Sequence, residues 1–177
     1  AGAPFELGDA GGNLMPGTLC SLWSGVAWDQ PATPPERQGD RLEEAFAAGV
    51  FTIRDRHLPG IWPVGETTGG GNIGHTFGVN STDERSLTQA LLWGRKLVAE
   101  YERYYKDYLQ GFAQMHLVAT GALLGIRESR RIMGDTVLCL EDFQRRAVFP
   151  DEIGRYAYPV DIHAAKPDEE NFKRFEE

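Results

Sequence analysis

The segment Ser81–Gly111, STDERSLTQALLWGRKLVAEYERYYKDYLQG, decides how this chain folds. Its first four residues, Ser81 to Glu84, have the order of a capping box, which satisfies the free N–H groups that open a helix. Apolar and small side chains then recur at intervals of three and four residues, the period of one helix face. These positions are Leu87, Leu91, Gly94, Leu97, Val98, Tyr101, Tyr105 and Tyr108. The segment therefore predicts one long amphipathic helix.

Short stretches of apolar, β-branched and small residues, broken by glycine and proline, flank this helix and predict a sheet. The predicted strands are one that begins near Thr18 and others at residues 50–53, 60–64, 75–79, 115–119, 126–132, 136–139 and 156–162. A capping box at 33–36 predicts a second helix that ends near Ala48, with Gly49 as its left-handed cap, and residues 140–147 predict a third. We expect an α+β fold in which a mixed or antiparallel sheet of short strands packs against one long amphipathic helix and shorter helices.

The length of 177 residues favours one domain with a single core. Residues 1–166 are expected to form this domain, and residues 167–177 a polar, exposed segment that leads into a further part of the protein. The chain begins at Ala1 without Met and ends without a helix stop signal. We therefore expect it to be a piece of a longer protein.

The composition excludes several classes of partner. A formal charge of −8 argues against nucleic acid and anionic membranes, because those surfaces attract basic patches. Two cysteines without C-x-x-C spacing, and four histidines without partners at metal-ligand spacing, predict no metal site. No apolar run approaches the ~18 residues of a membrane span, and no targeting signal is visible. A cytoplasmic location is favoured.

A glycine cluster, Gly69 to Gly74, matches G-x-G-x-x-G. A dinucleotide-binding turn needs a strand before this motif and a helix that starts on it, so that the helix N-terminus meets the pyrophosphate. Here a strand-like stretch follows, and no helix is predicted before Ser81. We expect a flexible or ligand-facing loop at these glycines, and no dinucleotide site.

Three arginines lie close together between apolar flanks, in the segment GIRESRRIMG at residues 125–134. In a strand, Arg127, Ser129 and Arg131 would share one face, and Glu128 and Arg130 the other. Buried charges need partners. Either an ion pair such as Glu128 with Arg130 is structural, or the arginines hold a carboxylate or phosphate in forked geometry.

Two histidines are candidates for proton transfer or substrate contact. His163 lies two residues after Asp161, so both side chains would share a strand face, and the carboxylate could orient the imidazole as a general base. A surface or packing histidine is the alternative. His75, after the glycine cluster, could reach a ligand, although a solvated loop histidine is more common.

Three segments carry a resemblance to a known family. They are GIRESRRIMG at 125–134 with the following Leu140-Glu141-Asp142, YPVDIH at 158–163, and, more loosely, LMPGT at 14–18. Together they resemble a bacterial family of FAD-dependent oxidoreductases that includes xanthan-lyase-associated members. Members of this family carry a Rossmann half before the matching region and a C-terminal segment after it. The resemblance thus concerns the middle, substrate-side portion.

The resemblance implies a substrate domain that covers the flavin of a parent oxidoreductase acting on a small polar substrate by hydride exchange. Arg127 and Ser129 would lie near the flavin. Substrate contacts would come from Arg127, Arg130, Arg131, Asp161 and His75, while Glu128 and His163 would take catalytic roles, Glu128 as arginine partner or proton acceptor. FAD belongs to the parent enzyme, and this chain without its FAD-binding half is not expected to bind it.

A non-catalytic module that docks on a separate flavoprotein chain is the alternative function. In either case an apolar surface left by a missing partner would favour self-association of the isolated chain, and we expect a homo-oligomer. A stand-alone hydrolase is unsupported, because the sequence contains neither G-x-S-x-G nor H-E-x-x-H.

Overall fold

The computed structural model describes residues 2–30, 35–57, 60–155, 157–167 and 172–174, and these residues form three antiparallel sheets and three helices. The predicted α+β class is confirmed. In chain order the elements are β1 (Phe5–Leu7), β2 (Ser21–Ser24), α1 (Pro35–Ala47), β3 (Gly60–Pro63), β4 (Gly69–Asn72), α2 (Glu84–Tyr108), β5 (His116–Thr120), β6 (Arg130–Ile132), α3 (Leu140–Gln144), β7 (Val160–Ile162) and β8 (Phe172–Arg174).

The largest sheet has four strands in the order β3-β4-β2-β5, and all its pairings are antiparallel. Two further pairs join β1 to β6 and β7 to β8. Strand β8 lies within the predicted polar segment 167–177, and its residues 172–174 pair with β7.

The long helix α2 confirms the strongest sequence prediction, but its first turn begins two residues later than predicted. The N-cap is Asp83, not Ser81, because the Asp83 carboxylate accepts a hydrogen bond from the backbone N–H of Ser86 at 2.7 Å. Asn80 fixes the preceding turn by donating its N–H to the Ser86 hydroxyl at 3.0 Å. No helix among the described residues has the length and apolarity needed to cross a membrane.

The shorter helices also follow the sequence. Helix α1 ends as predicted, since Gly49 has φ +68° and the N–H of Val50 bonds to the carbonyl of Ala45 at 3.0 Å. Residues 33 and 34 of its predicted capping box lie outside the described residues. Helix α3 occupies the first part of the predicted 140–147 helix.

The main core lies between α2 and the four-stranded sheet. Trp23 from β2 is fully buried and donates its indole N–H to the Ser21 hydroxyl at 2.8 Å. Tyr101 and Tyr104 on α2 are buried against Phe51, with ring centroids 5.0 and 5.4 Å from it. Aromatic burial of this size dominates the stability of a small domain.

The prediction of a loop at the glycine cluster is wrong for residues 69–72. These residues form β4, between β3 and β2, because glycine is what the crowded sheet interior admits. A Cβ on Gly71 would lie 2.7 Å from the Ser21 hydroxyl and 2.8 Å from the Trp23 indole nitrogen. After β4 the next helix in the described chain begins at Glu84, so no helix starts on this motif.

Several other predicted strands are wrong. Residues 50–53, 75–79 and 136–139 are not strands, and the strand predicted at 126–132 shortens to β6. In the first of these, Phe51 packs onto α2 instead of pairing in a sheet. In the second, Thr76 makes only an isolated bridge with Gly17. Short apolar runs do not reveal whether their side chains serve a sheet or a neighbouring helix.

A close contact between α2 and the chain before β2 gives a test of this packing. Gly94 is buried in α2, and a Cβ added there would lie 2.9 Å from Leu19 Cβ, which cannot swing away. Gly94→Ala should therefore destabilise the protein by about 1–3 kcal/mol, the usual cost of overpacking. Gly39→Ala is the matched control, since nothing lies within 4 Å of its added Cβ in α1.

Gly39→Ala should instead stabilise the chain by about 0.5–1 kcal/mol, because alanine replaces glycine inside a helix. Urea unfolding followed by circular dichroism measures both changes. Equal stabilisation by the two substitutions would contradict a close α2–Leu19 contact.

Candidate functional site

Two loops meet against helix α2 and bring polar side chains into the interior. Gly74 has φ +81°, and a Cβ there would lie 3.0 Å from the Tyr101 ring, so only glycine passes this close without strain. The turn that Gly74 makes places the next residue, His75, in the interior with 3% exposure. The segment after α1 supplies the buried Asp55 to the same region.

The Asp55 carboxylate is the centre of the resulting cluster. One oxygen, Oδ1, accepts hydrogen bonds from the backbone N–H of His57 at 3.0 Å and from its ring Nδ1 at 2.8 Å. The other, Oδ2, lies 2.9 Å from Nδ1 of His75. Because a carboxylate only accepts, each imidazole donates from Nδ1 and presents Nε2 as its acceptor.

Electrostatics favour the ionised form of Asp55. Burial raises the pKa of this carboxyl, but the hydrogen bonds and charge of His75, together with the bonds from His57, outweigh burial and leave the pKa below its ordinary value of 3.8. The effect extends to Tyr101, whose pKa is raised well above 10, first by burial and then by the negative charge of Asp55. The cluster is thus built around a buried negative charge.

His163 approaches the same cluster from the other side. Its ring centroid lies 5.2 Å from that of His75, and its Nε2 lies 3.5 Å from Asp161 Oδ2. Both side chains are mostly buried, with 14% and 16% exposure. Nε2 of His75 is buried and has no hydrogen-bond partner among the described residues. Two carboxylate–imidazole pairs therefore lie side by side.

Arg127 adds a half-buried positive charge to this region. Its Nη1 donates to the carbonyl of Pro16 at 2.8 Å and to the Thr18 hydroxyl at 2.9 Å. Burial lowers the pKa of the guanidinium, and the charge of Asp161 partly restores it. Arg127 is thereby held against the chain that precedes β2 and linked electrostatically to the His163–Asp161 pair.

The other predicted site residues lie around the N-terminal strand instead. Glu128 accepts from the N–H of Met15 at 3.2 Å and pairs with Arg131, not with Arg130 as the structural alternative supposed. Arg131 also donates to the carbonyl of Gly8 at 2.5 Å.

Arg130 stacks over Phe5, with its guanidinium carbon 4.9 Å from the ring centroid, and Ser129 is half-buried between its neighbours. The arginine-rich segment is thus divided. Arg127 bonds to Pro16 and Thr18 and is influenced by the charge of Asp161, while Glu128, Arg130 and Arg131 hold the residues around β1.

Sequence reasoning missed Asp55 and His57. The signal is present, since Asp55-Arg56-His57 has the same Asp-x-His spacing as Asp161-Ile162-His163. This spacing was missed because the segment follows a predicted strand and lies far from His75 in the sequence. Asp55, His57 and His75 each offer an atom that could bind a metal, all within 4.8 Å of one another, although the sequence predicted no metal site.

The lowered pKa of Asp55 predicts how its contribution to stability varies with pH. Because the carboxyl is ionised more readily in the folded state, its contribution is complete above the unfolded pKa near 3.8 and is lost as pH falls through the folded pKa. Asp55→Asn should lower the free energy of unfolding by about 1–3 kcal/mol at neutral pH, since buried donors lose a charged acceptor.

The stability difference between wild type and Asp55→Asn should stay constant from neutral pH to just above 3.8 and narrow below it. Urea unfolding at a series of pH values measures this difference. Asp40→Asn is the control, because Asp40 is exposed on α1. A difference that widens in acid would contradict the buried carboxylate.

Comparison with known proteins gives one match. The family model described as FAD dependent oxidoreductase matches residues 1–176, nearly the whole chain. No curated protein and no solved structure matches it. The match agrees with the resemblance carried by residues 125–134 and 158–163. The chain therefore belongs to the FAD dependent oxidoreductase family.

Proposed function

We propose that this chain is the substrate-side portion of an FAD-dependent oxidoreductase, and that the cluster around His163 binds a small polar substrate and moves its proton. The observation that carries this proposal is the 5.2 Å approach of the His75 and His163 rings, each with its own aspartate. Residues 1–166 form the substrate domain in this proposal, and the chain resembles the xanthan-lyase-associated type.

Proton transfer is the chemistry that this cluster supports. When bound, a flavin supplies the hydride chemistry, and the protein supplies orientation, charge and proton transfer. An imidazole held by a carboxylate suits a general base, because the carboxylate fixes the direction in which the other ring nitrogen points. His163 takes this role with Asp161 as its orienting partner. The ring of His75, which is bonded to Asp55, packs against the ring of His163.

Arg127 is the proposed anion-binding group. Only Nη1 of its guanidinium makes hydrogen bonds to described residues, so the rest of the planar group is available to a ligand. A guanidinium binds a carboxylate or phosphate through two parallel N–H donors. A small polar substrate that carries such a group would lie between Arg127 and His163. Glu128, Arg130 and Arg131 contribute indirectly, by fastening the N-terminal strand beside this site.

The nucleotide part of FAD does not fit the described residues. The glycine motif that would have to cradle the pyrophosphate is the sheet strand β4, whose Gly70 and Gly71 face tryptophan side chains. The helix N-terminus that stabilises a pyrophosphate is absent there, since the described chain continues into a loop. We derive no flavin step from this chain and propose that a separate FAD-binding half supplies that site.

A second candidate is a non-catalytic module that docks on a separate flavoprotein chain. Large apolar side chains on the described surface favour it, among them Leu123 at 80% exposure and Ile132 at 73%. Contiguous exposed apolar surface marks interaction sites. The same surface supports the proposed self-association of the isolated chain.

Titration with FAD separates a complete flavin site from a substrate-side portion. We expect the purified chain to leave flavin fluorescence and its own melting temperature unchanged at FAD concentrations of about 10 µM, because ligands that bind only the folded state raise stability. Binding with Kd of about 1 µM would contradict the substrate-side proposal and require a dinucleotide site in this chain.

In the flavin-loaded protein that includes this chain, His163→Gln should slow flavin reduction by about 10²- to 10⁴-fold, the usual contribution of a general base. Arg127→Lys keeps the charge but loses the forked geometry, so it should raise the half-saturating substrate concentration. Anaerobic stopped-flow absorbance with a panel of small hydroxy acids and phosphorylated alcohols measures both effects.

His116→Gln is the matched control, because His116 lies on β5 and bonds to Ser24, apart from the cluster. If His163→Gln shows the wild-type rate of flavin reduction, His163 takes no part in proton transfer. Unchanged kinetics in both His163→Gln and Arg127→Lys would favour the non-catalytic module.

A further inference from the structure

Asp55, His57 and His75 form a three-sided arrangement of potential metal ligands. The separations are 2.8 Å between Asp55 Oδ1 and His57 Nδ1, and 2.9 Å between Asp55 Oδ2 and His75 Nδ1. One potential ligand atom from each residue lies within 4.8 Å of the others. Two residues come from one loop and the third from another, so an ion here would join both loops.

These separations are those of neighbouring ligands around a small divalent ion. With metal–nitrogen and metal–oxygen bonds of about 2.0–2.2 Å, adjacent ligand atoms lie about 2.9 Å apart at right angles and about 3.4 Å apart at tetrahedral angles. The two carboxylate–imidazole separations match the first value. The three ligand atoms lie within 4.8 Å of one another, so the rings must move closer together to place both Nδ1 atoms and a carboxylate oxygen around one centre.

The donor set selects a class of ion. Two imidazoles with one carboxylate suit Zn²⁺, Fe²⁺, Co²⁺ or Ni²⁺, whereas Mg²⁺ and Ca²⁺ prefer oxygen ligands alone. Three protein ligands also leave coordination positions open for water or another molecule.

The burial and the charge of these three side chains also favour a metal ion. The side chains of His75 and Asp55 are 1% and 8% exposed, and that of His57 is 17% exposed, which leaves an approach from the His57 side. The Asp55 carboxylate pairs with these two histidines. A divalent cation among the three groups would offset the negative charge of the buried carboxylate.

Further polar groups outside the trio do not complete it. The ring of His163 lies 5.2 Å from that of His75 by centroids, and its Nε2 faces Asp161 at 3.5 Å. His163 therefore lies beside the trio and forms a separate pair.

We propose that Asp55, His57 and His75 bind one divalent transition-metal ion of the Zn²⁺ type through the carboxylate and the two Nδ1 atoms. Each neutral imidazole binds the ion through the lone pair of Nδ1, so its single ring proton moves from Nδ1 to Nε2 by exchange with solvent. No net proton is released and no oxidation is involved. It fastens the loop after α1 to the loop after β4 and holds His75 beside His163. This proposal goes beyond the flavin chemistry proposed above and does not depend on it.

Calorimetric titration of the EDTA-treated, dialysed chain with Zn²⁺ tests the proposal. We expect one equivalent to bind with Kd of about 1 µM or below. Co²⁺ in place of Zn²⁺ should give visible absorption bands. His57→Gln removes the most exposed ligand with least disturbance of the core, and it should weaken Zn²⁺ binding by at least about 100-fold. Asp55→Asn should do the same.

Two controls keep the result specific. His116→Gln and His163→Gln should each bind Zn²⁺ as tightly as wild type, since neither residue belongs to the trio, and circular dichroism checks that every variant is folded. Absence of Zn²⁺ and Co²⁺ binding, or equal affinity in wild type and folded His57→Gln, would overturn the proposal. Because no flavin is present, the outcome is separate from the tests of His163 and Arg127 in the flavin-loaded protein.

Discussion

Burial of one face of helix α2 is the constraint on which the rest of this structure depends. Its aromatic and aliphatic side chains remove a large apolar area from water only if the sheet and the flanking loops close over them. Gly94 lets the chain before β2 approach the helix at Leu19, and Gly74 lets the loop after β4 pass over Tyr101. The same closure that forms the core therefore delivers His75 to the interior.

A buried carboxylate next to that core explains the polar cluster. An ionised Asp55 is costly to bury unless donors surround it, and His57 and His75 provide those donors. The arrangement fixes the tautomer and direction of each ring. Because His163 and Asp161 repeat the pattern beside it, the region concentrates five titratable groups in one place, which is typical of functional sites.

The arginine-rich segment shows how one run of charges can serve two purposes. Arg127 is held by Pro16 and Thr18 and is influenced by the charge of Asp161. Arg131 and Glu128 instead join β6 to the residues around β1, through Gly8 and Met15. The division arises because only residues 130–132 form a strand. The alternation of side chains between two faces, predicted for residues 126–132, therefore does not extend to Arg127.

The sequence by itself determined the α+β class, the long helix, the end of α1 and the pairing of Asp161 with His163, because each depends on spacing within a few residues. The rejection of the glycine motif as a dinucleotide turn was equally local. Only the tertiary structure decided that the glycines form a packed strand, that Glu128 pairs with Arg131, and that Asp55 and His57 meet His75. Asp55 and His75 are 20 positions apart, and Gly71 in β4 pairs with the still more distant Ser21 in β2. Contacts between such distant residues, and the choice of Arg131 as the partner of Glu128, are not encoded in local periodicity.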